Sequence, residues 1–312
     1  MKKILLGAQV VLFGLFNLAL LATIVQLTGS RSPLSYLDYK KPAYNKVEEY
    51  DPALQRLDTR QKLIDYCDSL YAAGFSVSSG KEFNKDYTEI VTSVIRKRFY
   101  HGYSYYSSAD NYLSVLFSRA TLDGYSAIVV PEDILKFPYA ACSQQSIITM
   151  DILKSKGIET RKVGFSGKKT GHFCFEVFFD DGWHFYDTNM EPDEKLLNAH
   201  NRPDIATLAN DKALLLQAYH RYPQEKVLDV FSSYTYGTPN AFSAPRGIIF
   251  QKAAKFLSYT LWAFFLAAFI FIRKRYLRLA QKSYVRNSRI YLPRTESEPS
   301  PAYYPGITAP GA

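Results

Sequence analysis

The sequence contains few of the residues that build disulfide frameworks or metal sites. It has three cysteines and five histidines in 312 residues, and three cysteines do not make a disulfide scaffold. None of the histidines has the spacing of zinc ligands, and no calcium-binding motif is visible. We therefore expect no metal and no other cofactor.

Negative charge is also in deficit, with 29 acidic residues against 38 basic ones and a formal net charge of +9. Such an excess can indicate nucleic-acid binding. Here, however, much of it lies beside apolar segments, which is typical of proteins that contact membranes. We therefore predict no nucleic-acid partner. The densest basic block follows an apolar run near the C-terminus and consists of Arg273, Lys274, Arg275, Arg278, Lys282 and Arg286.

Two apolar runs are long enough to cross a bilayer. Residues 4–25 are interrupted only by Gln9 and Asn17, and as a helix they would be about 33 Å long. A cleaved signal peptide is the alternative, but no small-residue cleavage site is evident. Residues 256–272 form the second run, for which a buried core helix is the alternative. Basic residues flank both runs on the side of the termini, which predicts a two-pass inner-membrane protein with both termini cytoplasmic.

These runs divide the chain into five parts. We predict an N-terminal anchor over residues 1–29, a linker over 30–58 and an extracytoplasmic domain over 59–250, with its core at about 60–200. A second transmembrane helix over 251–275 and a basic, Pro-rich cytoplasmic tail over 276–312 follow. Helical patterns cover residues 59–73, 86–99, 111–119 and 203–220, and a short strand is expected at 125–130.

Cys142 stands at the start of a helical pattern. Ile148 and Ile152 share one face, and Gly157 supplies a stop signal, which predicts a helix from about residue 142 to 156. A thiol in the first turn faces free backbone N–H groups and the positive end of the helix dipole, which favours the thiolate. The alternative is that Cys142 is a small residue of the core.

A predicted hairpin follows, with His172 at its start and Asp187 near its end. Residues 172–179 are aromatic and β-branched, the turn is expected at Asp181-Gly182, and residues 183–187 return. His172 and Asp187 then share a face but are displaced by about two pairs, so a bulge or twist must bring them together. Glu176 lies nearer to Asp187 in this register and is a second candidate to orient the histidine.

The order Cys142, His172, Asp187 resembles the transglutaminase-like superfamily, whose fold is distantly similar to that of papain-type proteases. The helix runs into Lys156-Gly157-Ile158-Glu159-Thr160-Arg161-Lys162-Val163, the first strand opens His172-Phe173-Cys174-Phe175-Glu176-Val177, and the second carries Asp181-Gly182-Trp183 before Asp187-Thr188-Asn189. Two departures are Ala140-Ala141, where glycine often precedes the cysteine, and Cys174, where an aromatic residue is usual.

The resemblance implies an α+β domain, with a helical layer against an antiparallel sheet, between the two membrane helices. It also implies a catalytic triad of Cys142, His172 and Asp187 that forms a thioester with a protein or peptide substrate of the cell envelope. Acyl transfer and hydrolysis both remain open, and an inactive binding or scaffold module is the alternative. Cys174 either fills space or forms a regulatory disulfide with Cys142, and His101 is a second candidate base.

Overall fold

The structure is a computed structural model that describes residues 2–30, 32–46, 48–74, 80–120, 125–169, 171–190 and 192–291. Its contacts divide the chain into two compact units, one of Met1–Leu20 with Thr260–Ala312 and one of Leu21–Tyr259. Of the predicted tail, residues 276–291 belong to the last helix and residues 292–312 lie outside the described residues. The helices are α1 (Lys2–Thr28), α2 (Arg60–Gly74), α3 (Gly80–Arg98), α4 (Tyr112–Ala120), α5 (Pro131–Ile134), α6 (Cys142–Ser155), α7 (Glu194–Ala199), α8 (Ile205–Asn210), α9 (Lys212–Ala218), α10 (Gln224–Val230) and α11 (Pro245–Tyr291).

An antiparallel sheet organises the larger unit. Its strands are β1 (Thr160–Ser166), β2 (Gly171–Phe179), β3 (Gly182–Tyr186) and β4 (Tyr234–Tyr236), in the order β3-β2-β1-β4. Side chains of successive residues point to opposite faces of a strand. Phe175 accordingly joins one hydrophobic core while its neighbour Cys174 joins another. The fold is therefore mixed helix and antiparallel sheet, with a core on each face.

The two cores draw on different helices. On the first face, α2, α3 and α6 supply buried residues such as Leu63, Ile95 and Ile152. On the second face, the short helices α7 to α10 supply Leu197, Leu215 and others, and they enclose Cys174. This second layer closes the side of the sheet that carries His172 and Asp187.

The segment before α2 packs against the domain. Leu54 and Leu57 are buried in the first core. The Asp38 carboxylate accepts a hydrogen bond from the backbone N–H of Ser108 at 2.7 Å, and the ring of Tyr39 stacks on Tyr105 with centroids 3.9 Å apart. These contacts order a stretch that has little regular secondary structure of its own.

Helix α1 and residues 245–284 of α11 are each long and apolar enough to cross a membrane. Only a small share of the apolar window of each is buried, 17% in α1 and 6% in α11, so neither is a core helix of the described protein. Within the smaller unit Phe13 contacts Phe269, with ring centroids 5.5 Å apart. Within the larger unit Thr23 donates to the carbonyl of Ser258 at 3.0 Å.

Two expectations about secondary structure are wrong. Residues 125–130 form only an isolated β-bridge, between Ala127 and Tyr105, and not a strand. The Gln251 side chain takes backbone groups that a second partner strand would use: it donates to the carbonyls of Tyr125 and Ala127 and accepts from the N–H of Val129. The helix expected over 203–220 is broken at Asp211. Its carboxylate accepts from the N–H of Leu214 at 3.0 Å and so starts a new helix.

The hairpin turn is at Asp180-Asp181, one residue earlier than the sequence pattern predicted. Both residues have positive φ, 47° and 60°, the conformation that glycine and asparagine adopt most readily.

We expect Asp180→Asn with Asp181→Gly to stabilise the domain by about 1 kcal/mol. Thermal unfolding of the full chain in detergent micelles should show a higher midpoint. Asp181→Ala should lower it, and equal midpoints for the two variants would contradict the argument.

Candidate active site

Cys142 is the first residue of α6, as its sequence context predicted. Ala141 precedes it in an extended conformation and is fully buried, as is Ala140. The first N–H groups of a helix have no partner within it, so the thiol sits where backbone donors converge. Cys142 itself is 8% exposed, which leaves a narrow opening to solvent.

Gln144 holds the start of this helix in place. Its Oε1 accepts from the N–H groups of Ala141 and Ser104, at 3.1 and 2.9 Å, and its Nε2 donates to the carbonyls of Ser104 and Ile128, at 2.9 and 2.8 Å. The side chain is fully buried. All four hydrogen-bonding positions of the amide are therefore used to fix the loop around Ser104 against the residue that precedes Cys142.

His172 and Asp187 are in direct contact. The His172 Nε2 lies 2.8 Å from the Asp187 Oδ2. The observed register pairs Phe175 with Tyr186, and continued by one residue it sets Asp187 opposite Cys174. His172 is then a diagonal neighbour of Asp187, within reach across a twisted sheet. The earlier turn therefore brings the two side chains together without a bulge.

Glu176 does not orient the histidine. Its carboxylate binds Arg161 at 2.6 Å and accepts from the backbone N–H of Ile205 at 2.7 Å. Burial raises the pKa of Glu176, while these two partners act in the opposite direction. The role of Glu176 is thus to join β1, β2 and the start of α8.

The Asp187 carboxylate accepts four hydrogen bonds. Besides His172, the Tyr219 hydroxyl donates to Oδ2 at 3.0 Å, and the N–H groups of Asn189 and Met190 donate to Oδ1 at 2.9 and 3.0 Å. Burial acts to raise the pKa of Asp187, but His172 and the two N–H groups together lower it. A fully buried carboxylate is thereby kept ionised.

The contact that lowers the pKa of Asp187 also raises the pKa of His172. Burial acts to lower its pKa, but the charge of Asp187, then Cys174, the Asp187 hydrogen bond and the Cys142 thiol raise it well above its usual value. Its Nε2 is hydrogen-bonded to Asp187, and both Cys142 and Cys174 lie near enough to influence the ring. The imidazole therefore has a carboxylate on one nitrogen and thiols nearby.

Three residues near this group were not identified from the sequence or were given another role. Tyr103 is 43% exposed, and burial followed by the neighbouring Cys142 raises its pKa, while Ser143 acts in the opposite direction. Tyr219 contacts Asp187, as described. Burial lowers the pKa of His101, the second candidate base, while Glu48 and Asn189 act in the opposite direction.

The remaining cysteines are free thiols. Cys67 is buried in the first core, where burial raises its pKa to about 12. Cys174 is fully buried in the second core, and burial followed by the charge of Asp187 raises its pKa well above the usual value. The Cys174 sulfur, a ring nitrogen of His172 and a carboxylate oxygen of Asp187 lie within 4.8 Å of one another.

The shifted pKa values make stability depend on pH. A raised histidine pKa stabilises the fold fully below about pH 6.5 and progressively less as the pH rises through the folded-state pKa, whereas a lowered aspartate pKa stabilises above about pH 4. The His172–Asp187 pair should therefore contribute most to the stability of the fold between these limits.

We expect His172→Gln to lower the unfolding midpoint more at about pH 5.5 than at about pH 9. His220→Gln, at an exposed site, is the control, and an equal loss at both pH values would contradict the pairing.

A buried imidazole between a thiol and a carboxylate is the arrangement of a thiol nucleophile, its base and the orienter of that base. No protein-family model matches this chain, and no curated protein matches it. A solved structure described as "Crystal structure of a TGase" is similar to it, with a TM-score of 0.24 and 19% sequence identity. The match covers 44% of this chain and 31% of that one, so this chain spans less than a third of that protein's length.

A TM-score of this size carries no argument about the fold, and the interpretation therefore rests on the geometry of the site. That geometry is compatible with a transglutaminase-like cysteine enzyme. The mixed helix and antiparallel sheet is compatible with the same class.

Proposed function

We propose that this chain is a membrane-anchored cysteine enzyme of the transglutaminase-like type. It forms a thioester with a carboxamide or peptide carbonyl of an envelope protein or peptide. The observation that carries the proposal is His172, held 2.8 Å from Asp187 and close enough to Cys142 for the thiol to raise its pKa. A merely structural histidine does not require a nucleophile at a helix start as its second partner.

The steps follow from these contacts. His172 takes the proton of Cys142, and its raised pKa favours the protonated imidazole that results. The sulfur then attacks the carbonyl carbon, and the oxygen gains the electron pair of the C=O bond. The backbone N–H of Cys142 and the Tyr103 hydroxyl are the donors that we assign to this oxyanion.

Collapse of the tetrahedral intermediate breaks the C–N bond and leaves a thioester on Cys142. His172 gives its proton to the departing amine or ammonia. A second amine then takes the acyl group in a transfer reaction, or water takes it in hydrolysis. Asp187 stays ionised throughout and holds the imidazole in one orientation.

We place this chemistry outside the cytoplasmic membrane. Two helices with the length and apolar composition of membrane spans, and a basic block directly after the second, support a two-pass arrangement with both termini in the cytoplasm. The buried contacts of Thr23 and Gln26 with Ser258 support a retained N-terminal anchor, because a cleaved signal peptide would take these side chains away.

A binding or scaffold module is the second candidate, and one observation favours it. Cys142 and His172 are each only 8% exposed, so a substrate has little access to the sulfur in this conformation. The two candidates differ in a simple respect: only the enzyme needs a reactive thiol.

Alkylation of the full chain in detergent micelles by iodoacetamide, followed by peptide mapping, tests the proposal. We expect Cys142 to be modified, while Cys67 and Cys174, both fully buried, stay unmodified until the protein is denatured. A fluorescent primary amine supplied with a glutamine-containing peptide separates the two reactions: amine incorporation indicates transfer, and ammonia release without incorporation indicates hydrolysis. If the native wild type is alkylated no more than the Cys142→Ala variant, the scaffold is favoured.

A further inference from the structure

Cys174 brings a second soft ligand into the site, and the reaction proposed above does not use it. It occupies a strand position where the resembled family usually has an aromatic residue. Its sulfur lies within 4.8 Å of a His172 ring nitrogen and of an Asp187 carboxylate oxygen, and all three residues are buried. Thiolate, imidazole and carboxylate are together the ligands that Zn²⁺ prefers in proteins.

We propose that Cys174, His172 and Asp187 form an inhibitory Zn²⁺ site within the candidate active site. In tetrahedral zinc sites neighbouring ligand atoms are about 3.6 Å apart, given Zn–N, Zn–O and Zn–S bonds of about 2.0 to 2.3 Å. The His172 Nε2 and Asp187 Oδ2 would separate slightly from 2.8 Å, and the sulfur would approach by no more than about 1 Å.

A further oxygen atom adjoins the cluster. The Tyr219 hydroxyl already donates to the Asp187 Oδ2 at 3.0 Å, so an oxygen atom stands on the carboxylate side of the cluster. Cys142 is not one of the three residues in this cluster. The assigned ligands therefore include the base and its orienter but not the nucleophile.

Inhibition follows because the metal occupies the lone pair of the imidazole Nε2. This part of the inference rests on the proposed function. With the Nε2 lone pair on Zn²⁺ and a proton on Nδ1, the ring has no site left to accept the Cys142 proton. The thiol proton of Cys174 is released to solvent on coordination. Metal binding itself does not depend on whether the chain is an enzyme.

Co²⁺ binding to the full chain in detergent micelles, reduced and freed of metal, tests the site through the thiolate-to-Co²⁺ absorption. Because the ligands are buried, each titration point is read after equilibration. We expect one equivalent to bind with this absorption and to be displaced by Zn²⁺, in the wild type and in Cys142→Ala. Cys67→Ala, which removes a buried thiol of the other core, is the matched control and should bind equally.

Cys174→Ser should lose the absorption and bind Zn²⁺ on the order of a hundredfold more weakly, while metal-free alkylation of Cys142 shows that the site is intact. If serine disturbs the fold, the double variant Cys67→Ala/Cys142→Ala decides, because Cys174 is then the remaining thiol. Loss of the absorption in that variant would overturn the proposal, as would its loss in Cys142→Ala or unchanged binding by a folded Cys174→Ser. A wild type without the absorption would do the same.

The regulatory effect has its own readout. Zn²⁺ should slow alkylation of Cys142 in the wild type and in Cys67→Ala by about tenfold or more, and by less than about twofold in Cys174→Ser. If Co²⁺ binds as described but Zn²⁺ leaves the rate unchanged, the proposed function fails and the metal site stands. Equal protection in Cys174→Ser would overturn the metal site and leave the proposed function intact.

Discussion

His172→Ala should slow the alkylation of Cys142 on the order of a hundredfold at neutral pH, the usual scale of a lost general base. The reason is local: the imidazole that receives the thiol proton is fixed by Asp187 and lies near enough to Cys142 for the thiol to raise its pKa. The measurement is the rate of iodoacetamide incorporation at Cys142 in detergent micelles, across the pH range.

His220→Ala is the matched control for this variant. The His220 side chain is exposed and contacts the carbonyl of Gln217, three residues earlier in the chain, so its loss should leave the rate unchanged. A His172→Ala protein that keeps the wild-type rate and pH profile would remove the basis for assigning Cys142 and His172 to one catalytic pair.

Asp187→Ala is expected to have the largest effect on stability. The change leaves a protonated imidazole, a tyrosine hydroxyl and two backbone N–H groups buried without their acceptor. Removing one partner of a buried ion pair costs about 3–5 kcal/mol. The unfolding midpoint should fall by many degrees, and alkylation of Cys142 should fall with it because His172 is no longer held.

Two variants calibrate this result. Asp181→Asn changes an exposed aspartate of the same hairpin at a positive-φ position that asparagine tolerates, and it should have little effect. Tyr219→Phe removes one of the four donors to Asp187 and should cost about 1 kcal/mol. If Asp187→Ala unfolds no more easily than Asp181→Asn, the carboxylate is not the anchor of the site.

The central residues of the site could be predicted because each depends on local sequence. Cys142 starts a helix whose apolar spacing and glycine stop are legible, and His172 and Asp187 lie on two strands joined by an obvious turn. Position along the chain was enough to place them on one face. The turn itself was predicted one residue late, since Asp-Gly is the commoner pair at positive φ and the protein uses Asp180-Asp181 instead.

The supporting residues could not be predicted, for a physical reason. Tyr219 reaches Asp187 only because α7 to α10 fold back over the second face of the sheet, and one tyrosine among 25 carries no mark of that contact. Gln144 looks like an ordinary polar residue of a first helical turn until Ser104 and Ile128 are brought beside it. The same limit applies to Gln251. Its amide bonds backbone groups of residues 125–130 that a neighbouring strand would otherwise pair with, and the apolar sequence of that segment gave no sign of it.

The two-residue hairpin has a consequence for how such a domain can diverge. A shift of one residue in strand pairing moves every side chain of the shifted strand to the opposite face of the sheet. An insertion that shifted β3 by one residue against β2 would therefore turn the carboxylate away from the imidazole. It would also expose the packed rings of the other face. Loop lengths elsewhere on the surface are free to drift. Relatives that keep the histidine and the aspartate must therefore preserve the spacing of this one connection, or compensate for a change in it with a bulge.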